Sequence, residues 1–289
     1  MLKPFGGVLT LARNSRGCYI LDTVKGCRIV NTRQGGCYGD CYAANIAKRY
    51  RLDFGSPVSR LIVDERHKAS LIRQIKAADM PFIRIGEMGD PSEDWGHTLD
   101  VCRMVLDAGK DAVVITKHWK PVPDSLLPGM EGICVNTSVS ALDEAGELSY
   151  RLEQYERLKP FCRSVLRVVS CRFSMDSEEG TKRQVVQDQL LSMGCIETVF
   201  RPSPKNPFLA RGVIQASPRR FLGTVMLASM DNVGAYFGGC AACPDLCGVR
   251  DCKPGPRIPP PKAPDPLPWD HTPKATPEAV DFFSLTLLE

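Results

Sequence analysis

The sequence predicts an α/β protein: a full or partial (β/α) barrel of six to seven parallel strands with a C-terminal Cys-rich metal-binding extension. Three observations carry this expectation. Short β-branched runs alternate with stretches of helical period between about residues 18 and 228, the pattern of parallel strands joined by helical crossovers. The length of 289 residues suits one barrel-sized core with an appendage. Seven of the thirteen cysteines fall into two short groups, one after the first expected strand and one after the last.

The strands are expected at 18–24, 82–86, 112–116, 132–136, 164–169 and 197–200, with a seventh at 223–228 closing the series. Each is a short run rich in β-branched residues, as befits a strand covered on both faces. Amphipathic helices are expected between them at 64–78, 95–108, 142–158 and 181–193. An open doubly wound sheet would use the same alternation. No GxGxxG or GxxxxGK[ST] turn follows the first strand, which weakens a dinucleotide or P-loop assignment. The organisation expected is a barrel over 1–235, a Cys-rich motif over 236–253 and a Pro-rich tail over 254–289. Ten of the 23 prolines lie between Pro254 and Pro277, so this tail is no central strand or packed helix. A short amphipathic helix is expected at 278–288.

Composition narrows the function classes. The chain is 43% hydrophobic and 24% charged, with a formal net charge of +4, a balance too slight to mark a nucleic-acid binder. No apolar run approaches the roughly 20 residues that span a bilayer, and the N-terminus shows no signal-peptide pattern. The expected location is the cytoplasm, with no membrane partner. Cytosolic thiols stay reduced, so clustered cysteines there point to metal or redox chemistry rather than disulfides. Cys18, Cys102, Cys134, Cys162, Cys171 and Cys195 stand singly and are read as small buried hydrophobes. Only four histidines occur (His67, His97, His118 and His271), and neither HExxH nor a Gly-x-Ser-x-Gly elbow is present.

The first cysteine group is Gly26-Cys27, then Gly36-Cys37-Tyr-Gly-Asp-Cys41-Tyr42-Ala43, a C-x9-C-x3-C spacing that ends at the start of a helix. Its glycines allow the positive-φ turns a loop needs to wrap an inorganic cluster. Thiolates select Fe–S clusters, zinc or Cu(I). Three of them on a [4Fe–4S] cube leave one iron open, whereas zinc wants a fourth protein ligand, for which His67 and Cys18 are the nearest candidates.

A cysteine trio after the first strand with an aromatic beside the last Cys resembles the radical S-adenosylmethionine (SAM) enzymes. It is especially like phage- and plasmid-borne radical SAM-like proteins with a GC…GC…CYA loop, although the commonest family spacing is C-x3-C-x2-C. The resemblance implies a [4Fe–4S] cluster on Cys27, Cys37 and Cys41, with SAM chelating the open iron. It implies that Tyr42 packs near the adenine and that Gly86-Glu87, at the end of the second strand, meets the SAM amino group. Asn136, Ser138, Arg167 and Ser170 stand where the family contacts ribose and carboxylate. It further implies reductive cleavage of SAM to a 5′-deoxyadenosyl radical and an electron donor such as flavodoxin or ferredoxin. The residues alone give the Gly86–Asp90 turn a second reading, in which Asp90 or Ser92 caps the next helix. Lys117, His118, Trp119 and Arg201 are candidate substrate contacts.

The second group, Cys240, Cys243, Cys247 and Cys252, has C-x2-C-x3-C-x4-C spacing. Four thiols within thirteen residues fit an auxiliary [4Fe–4S] cluster or a structural zinc site. A different class of function is a zinc-binding, nucleic-acid-binding accessory protein, with contacts from Lys48-Arg49-Tyr50-Arg51 and Arg219-Arg220.

Overall fold

In a computed structural model, residues 2–249 are described apart from 195, 222–223, 229–234 and 237. A seven-stranded sheet forms the centre: β1 (Leu11–Arg13), β2 (Tyr19–Leu21), β3 (Phe82–Ile85), β4 (Asp111–Thr116), β5 (Cys134–Val139), β6 (Arg163–Ser170) and β7 (Ile196–Val199). They lie in the order β1-β2-β3-β4-β5-β6-β7. β1 pairs antiparallel with β2, and every other neighbouring pair is parallel. Strict sequential order sets this sheet apart from a doubly wound one, whose strand order reverses at a switch point. With right-handed crossovers, sequential winding sends every connecting helix to the same face.

Side-chain parity shows the result. Leu21, Ile83, Ile85, Ala112, Val114, Ile133 and Val135 form one core with α2 (Glu65–Ala77) and α3 (Trp95–Asp107). Val139, Leu166 and Val168 continue that face beneath α4 (Ala145–Leu158) and α5 (Glu178–Ser192). Asp64 caps α2, Asp94 caps α3 and Ser177 caps α5, each accepting from a backbone N–H of the first turn. The opposite face carries Cys18, Phe82, Val113 and Cys134 near the strand starts, and these pack against Cys240 and Leu246.

Most expected elements lie where the periodicity put them. The seventh strand is a correction. Thr224–Ala228 pairs antiparallel with Ser217–Phe221 in a separate hairpin and adds nothing to the main sheet. The first expected strand is interrupted: Tyr19–Leu21 joins the sheet, while Val24–Lys25 turns away to pair with Val58–Ser59. Cys252, the tail over 254–289 and the helix expected at 278–288 lie outside the described residues. No helix among the described residues is long and apolar enough to cross a membrane.

Candidate metal centre

Cys27, Cys37 and Cys41 lie over the C-terminal ends of the parallel strands, where ligands of α/β proteins gather. Cys27 follows the ladder at Val24–Lys25. Gly26 donates its N–H to the Met88 carbonyl at 2.9 Å, and Cys27 donates to Phe54 at 2.8 Å. Cys41 is the N-cap residue of α1 (Tyr42–Arg49), and its N–H closes the loop on the Gly35 carbonyl at 2.8 Å. Gly35 takes φ +78, and a Cβ there would stand 2.4 Å from the Gly39 carbonyl oxygen. Only glycine permits that crossing.

The exits of several strands grip this loop. After β4, Lys117 Nζ donates to the Tyr38 hydroxyl and lies 3.5 Å from Asp143 Oδ1. After β7, Asn206 Nδ2 donates to the Tyr38 carbonyl at 2.9 Å, and Ser203 N–H donates to the Asp40 carboxylate. Arg151, 1% exposed, pairs with Asp143 at 2.5 Å and lies over the Trp119 ring. Burial alone would raise the Asp143 carboxyl, but Lys117 and Arg151 outweigh it and hold the group below the usual carboxylate range.

Cys27 and Cys41 share an apolar pocket with Phe5, Ala43, Phe54, Met88 and Trp119. Burial pushes all three thiols upward, Cys37 to about 11. Backbone N–H groups oppose it, from Ile29 at Cys27 and from Ala44 and Ala43 at Cys41, while the Lys117 ammonium opposes it at Cys37. Three soft donors within electrostatic reach of one another, with amides and a cation near their sulfurs, suit a thiophilic centre that displaces their protons. Among the described residues, no three His, Cys, Asp or Glu side chains close round a single-ion site.

The turn after β3 is strapped to this pocket. Asp22, at the end of β2, accepts the N–H groups of Glu87 at 2.7 Å and Met88 at 3.0 Å. The Tyr42 hydroxyl donates to the Glu87 carbonyl at 2.6 Å, and Asn14 Nδ2 holds the Glu87 carboxylate at 3.1 Å. Gly86 is at φ +91, where a Cβ would strike the Pro91 ring. Asp90 accepts from Ser92 N–H, the Thr116 hydroxyl and Lys117 N–H, capping the single 3-10 turn Pro91–Asp94, while the helix that follows is capped by Asp94 rather than by Asp90 or Ser92.

The remaining expected site residues divide. Asn136, Ser138 and Arg167 share the face away from the helices, as the register Ser138↔Arg167 and the alternation along β5 require. Asn136 Nδ2 donates to the Cys247 carbonyl at 2.9 Å, and Arg167 donates to Asn136 Oδ1 at 3.2 Å, so both touch the second cysteine group or its support. Ser170 has the parity of Val168 and lies on the helix-covered face, bonded to the Glu197 carboxylate at 2.7 Å. His118 is buried, stacked on Trp95 and bonded to Thr137.

Cys240, Cys243 and Cys247 pack at the strand-start end of the same sheet, opposite the first trio. Arg84, Arg167 and Arg16 line the cavity they share. No disulfide forms among the described cysteines. Sequence reasoning missed Arg84, Arg16, Asp22 and the Tyr38–Lys117–Asp143–Arg151 network. Arg84 was legible in principle, as a charged residue alternating with Ile83 and Ile85 inside an apolar run.

No protein-family model, curated protein or solved structure matches this chain.

Proposed function

We propose that this chain is an iron–sulfur enzyme of the radical SAM type, built on a partial barrel that is open between β1 and β7. The observation that carries the reading is the nearness of Cys27, Cys37 and Cys41, whose thiols act on one another electrostatically, with Cys27 and Cys41 in one apolar pocket and Tyr42 bonded to the Gly86-Glu87 turn. In such an enzyme the cluster and SAM supply the hard chemistry, the one-electron cleavage of SAM to methionine and a 5′-deoxyadenosyl radical.

The chain's own residues supply position and seclusion. Gly35 and Gly36 let the loop fold tightly enough to aim Cys37 and Cys41 the same way. The Ala43 and Ala44 amides, at the positive end of α1, favour negative charge on Cys41. Asp22 and Tyr42 fix the Gly86–Met88 backbone beside the trio, so the shape of the turn is set before an amino-acid head group arrives. Phe5, Phe54, Met88 and Trp119 keep bulk water from the sulfurs. An electron donor of the flavodoxin or ferredoxin kind belongs to this reading.

The test is anaerobic reconstitution with iron and sulfide, followed by EPR after dithionite, with and without SAM. The expected result is a [4Fe–4S]⁺ signal that SAM perturbs and that Cys37→Ala abolishes. Protein that takes up zinc but no iron, or a signal indifferent to both SAM and Cys37→Ala, would overturn the proposal.

A further inference from the structure

Cys18 opens the first parallel strand, in a position where a small apolar residue would serve. Its side chain is fully buried on the face away from the helices. Arg16 fixes what lies opposite. Its carbonyl accepts the Cys240 N–H at 2.8 Å, and its guanidinium donates to the carbonyls of Gly238 and Tyr236. These bonds hold the Cys240–Cys247 segment against the start of β2. Cys18 Sγ donates to the Tyr19 carbonyl at 3.6 Å, and Cys18, Cys240, Cys243 and Cys247 all line one cavity.

The other walls of that cavity supply a second, independent observation. Arg16, Arg84 and Arg167 line it too; among the described residues the acidic groups nearby are Asp245, Glu197, which accepts from the Ser170 hydroxyl, and Glu87, which acts on Arg84. Three guanidinium groups around one small chamber are mutually repulsive unless negative charge sits among them. Four thiolates on a doubly positive metal centre leave a net negative charge there. The cavity is small, about 30 Å³.

We propose that Cys18 is a metal ligand and, with Cys240, Cys243 and Cys247, draws in around a thiophilic metal at the strand-start end of the sheet, the four thiols lining one cavity here without closing on a single-ion geometry. The site is complete without Cys252. It is fully ligated by protein, as structural centres are, and so differs in kind from the trio at the other end. The proposal does not depend on SAM chemistry.

The test uses the full chain carrying Cys37→Ala, so that failure of the first centre leaves the readout intact. Iron, sulfide and zinc are measured after anaerobic purification, together with circular dichroism. Cys18→Ala and Cys243→Ala are expected to lose the residual metal at least tenfold, while Cys252→Ala and the buried reference Cys102→Ala keep it. Sulfide accompanying the metal identifies a cluster, and zinc alone identifies an ion. Retention in folded Cys18→Ala, loss in Cys252→Ala, or no metal in any variant overturns the proposal. If Cys18→Ala does not fold, the unsubstituted chain decides. During partial urea denaturation, alkylation read by mass spectrometry should leave Cys18 protected with Cys240, Cys243 and Cys247 until a chelator is added. Reaction of Cys18 in step with Cys102, before chelation, overturns it.

Discussion

Asp143 stands between two cations with almost no water near it. Removing its charge strands Arg151, so Asp143→Asn is expected to cost about 3–5 kcal/mol, the penalty for breaking a buried pair, measured by urea denaturation. Because its folded pKa is depressed, its stabilisation is complete above about pH 4, its unfolded value, and fades as the pH falls through the lower folded one. His118 supplies a second acid-side slope. Burial pulls it from 6.5 to about 4, with Asp90 pulling up and Arg151 and Arg157 pulling down. The folded state therefore refuses a proton that the unfolded chain accepts. Stability should fall by roughly 3 kcal/mol as the pH drops from 6.5 to 4, and His118→Asn, which tolerates the local φ of +52, should flatten that window. An unchanged slope in His118→Asn would assign it elsewhere. Neither effect was legible beforehand: nothing in the spacing of Tyr38, Lys117, Asp143 and Arg151 says that the connections after β2, β4 and β5 bring them together.

At the scale of elements, the loop over 35–41 is more constrained than any helix. Gly35→Ala and Gly109→Ala ask for the same unfavourable backbone, φ +78 and +80, but only the first meets a wall, the Gly39 carbonyl at 2.4 Å. Both should lose about 1 kcal/mol in thermal melts, the cost of a left-handed alanine, with more lost at Gly35. Iron uptake should fall in Gly35→Ala and stay normal in Gly109→Ala. Equal uptake in the two would separate the loop's shape from metal binding. The glycines of this loop were visible in the sequence, and so were the strands, because buried parallel strands are written as short runs rich in β-branched residues. The face each residue occupies was harder to see. Such a run hides its own alternation, so Arg167 and Ser170, three apart in one strand, were grouped together although they point to opposite sides. Cys18 was hidden in the same way, as one more small residue in a run beginning Cys-Tyr-Ile-Leu.

Across the whole molecule, the two cysteine groups occupy opposite ends of one sheet, with Arg84, Asn136 and Arg167 in the layer between. Asn136 holds the Cys247 carbonyl and the Arg167 guanidinium at once. Asn136→Ala should cost about 1–3 kcal/mol, the range for leaving buried polar groups unpaired. Hydrogen exchange should quicken across the amides of 240–249 and stay unchanged in α3. Uniform acceleration would mean that the Cys-rich segment unfolds only with the rest. The sequence marked that segment as an appendage because its composition changes there. Only the folded chain shows that it floors the sheet, because contact with Phe82, Val113 and Cys134 depends on which face the helices leave uncovered.

That floor also sets a timetable. Arg16 and the Gly238 it holds are 222 residues apart, so at about 5–20 residues per second the ribosome makes the second roughly 10–45 s after the first. Once Val199 has been made the sheet has all its strands, and its lower surface, with Phe82 and Cys18 upon it, stays bare until the segment around Cys240 follows. Folding upstream cannot cover it early, because the cover is the part translated late. A chaperone that shields apolar surface on emerging chains would have its work at this surface, and its release would coincide with the arrival of Cys240.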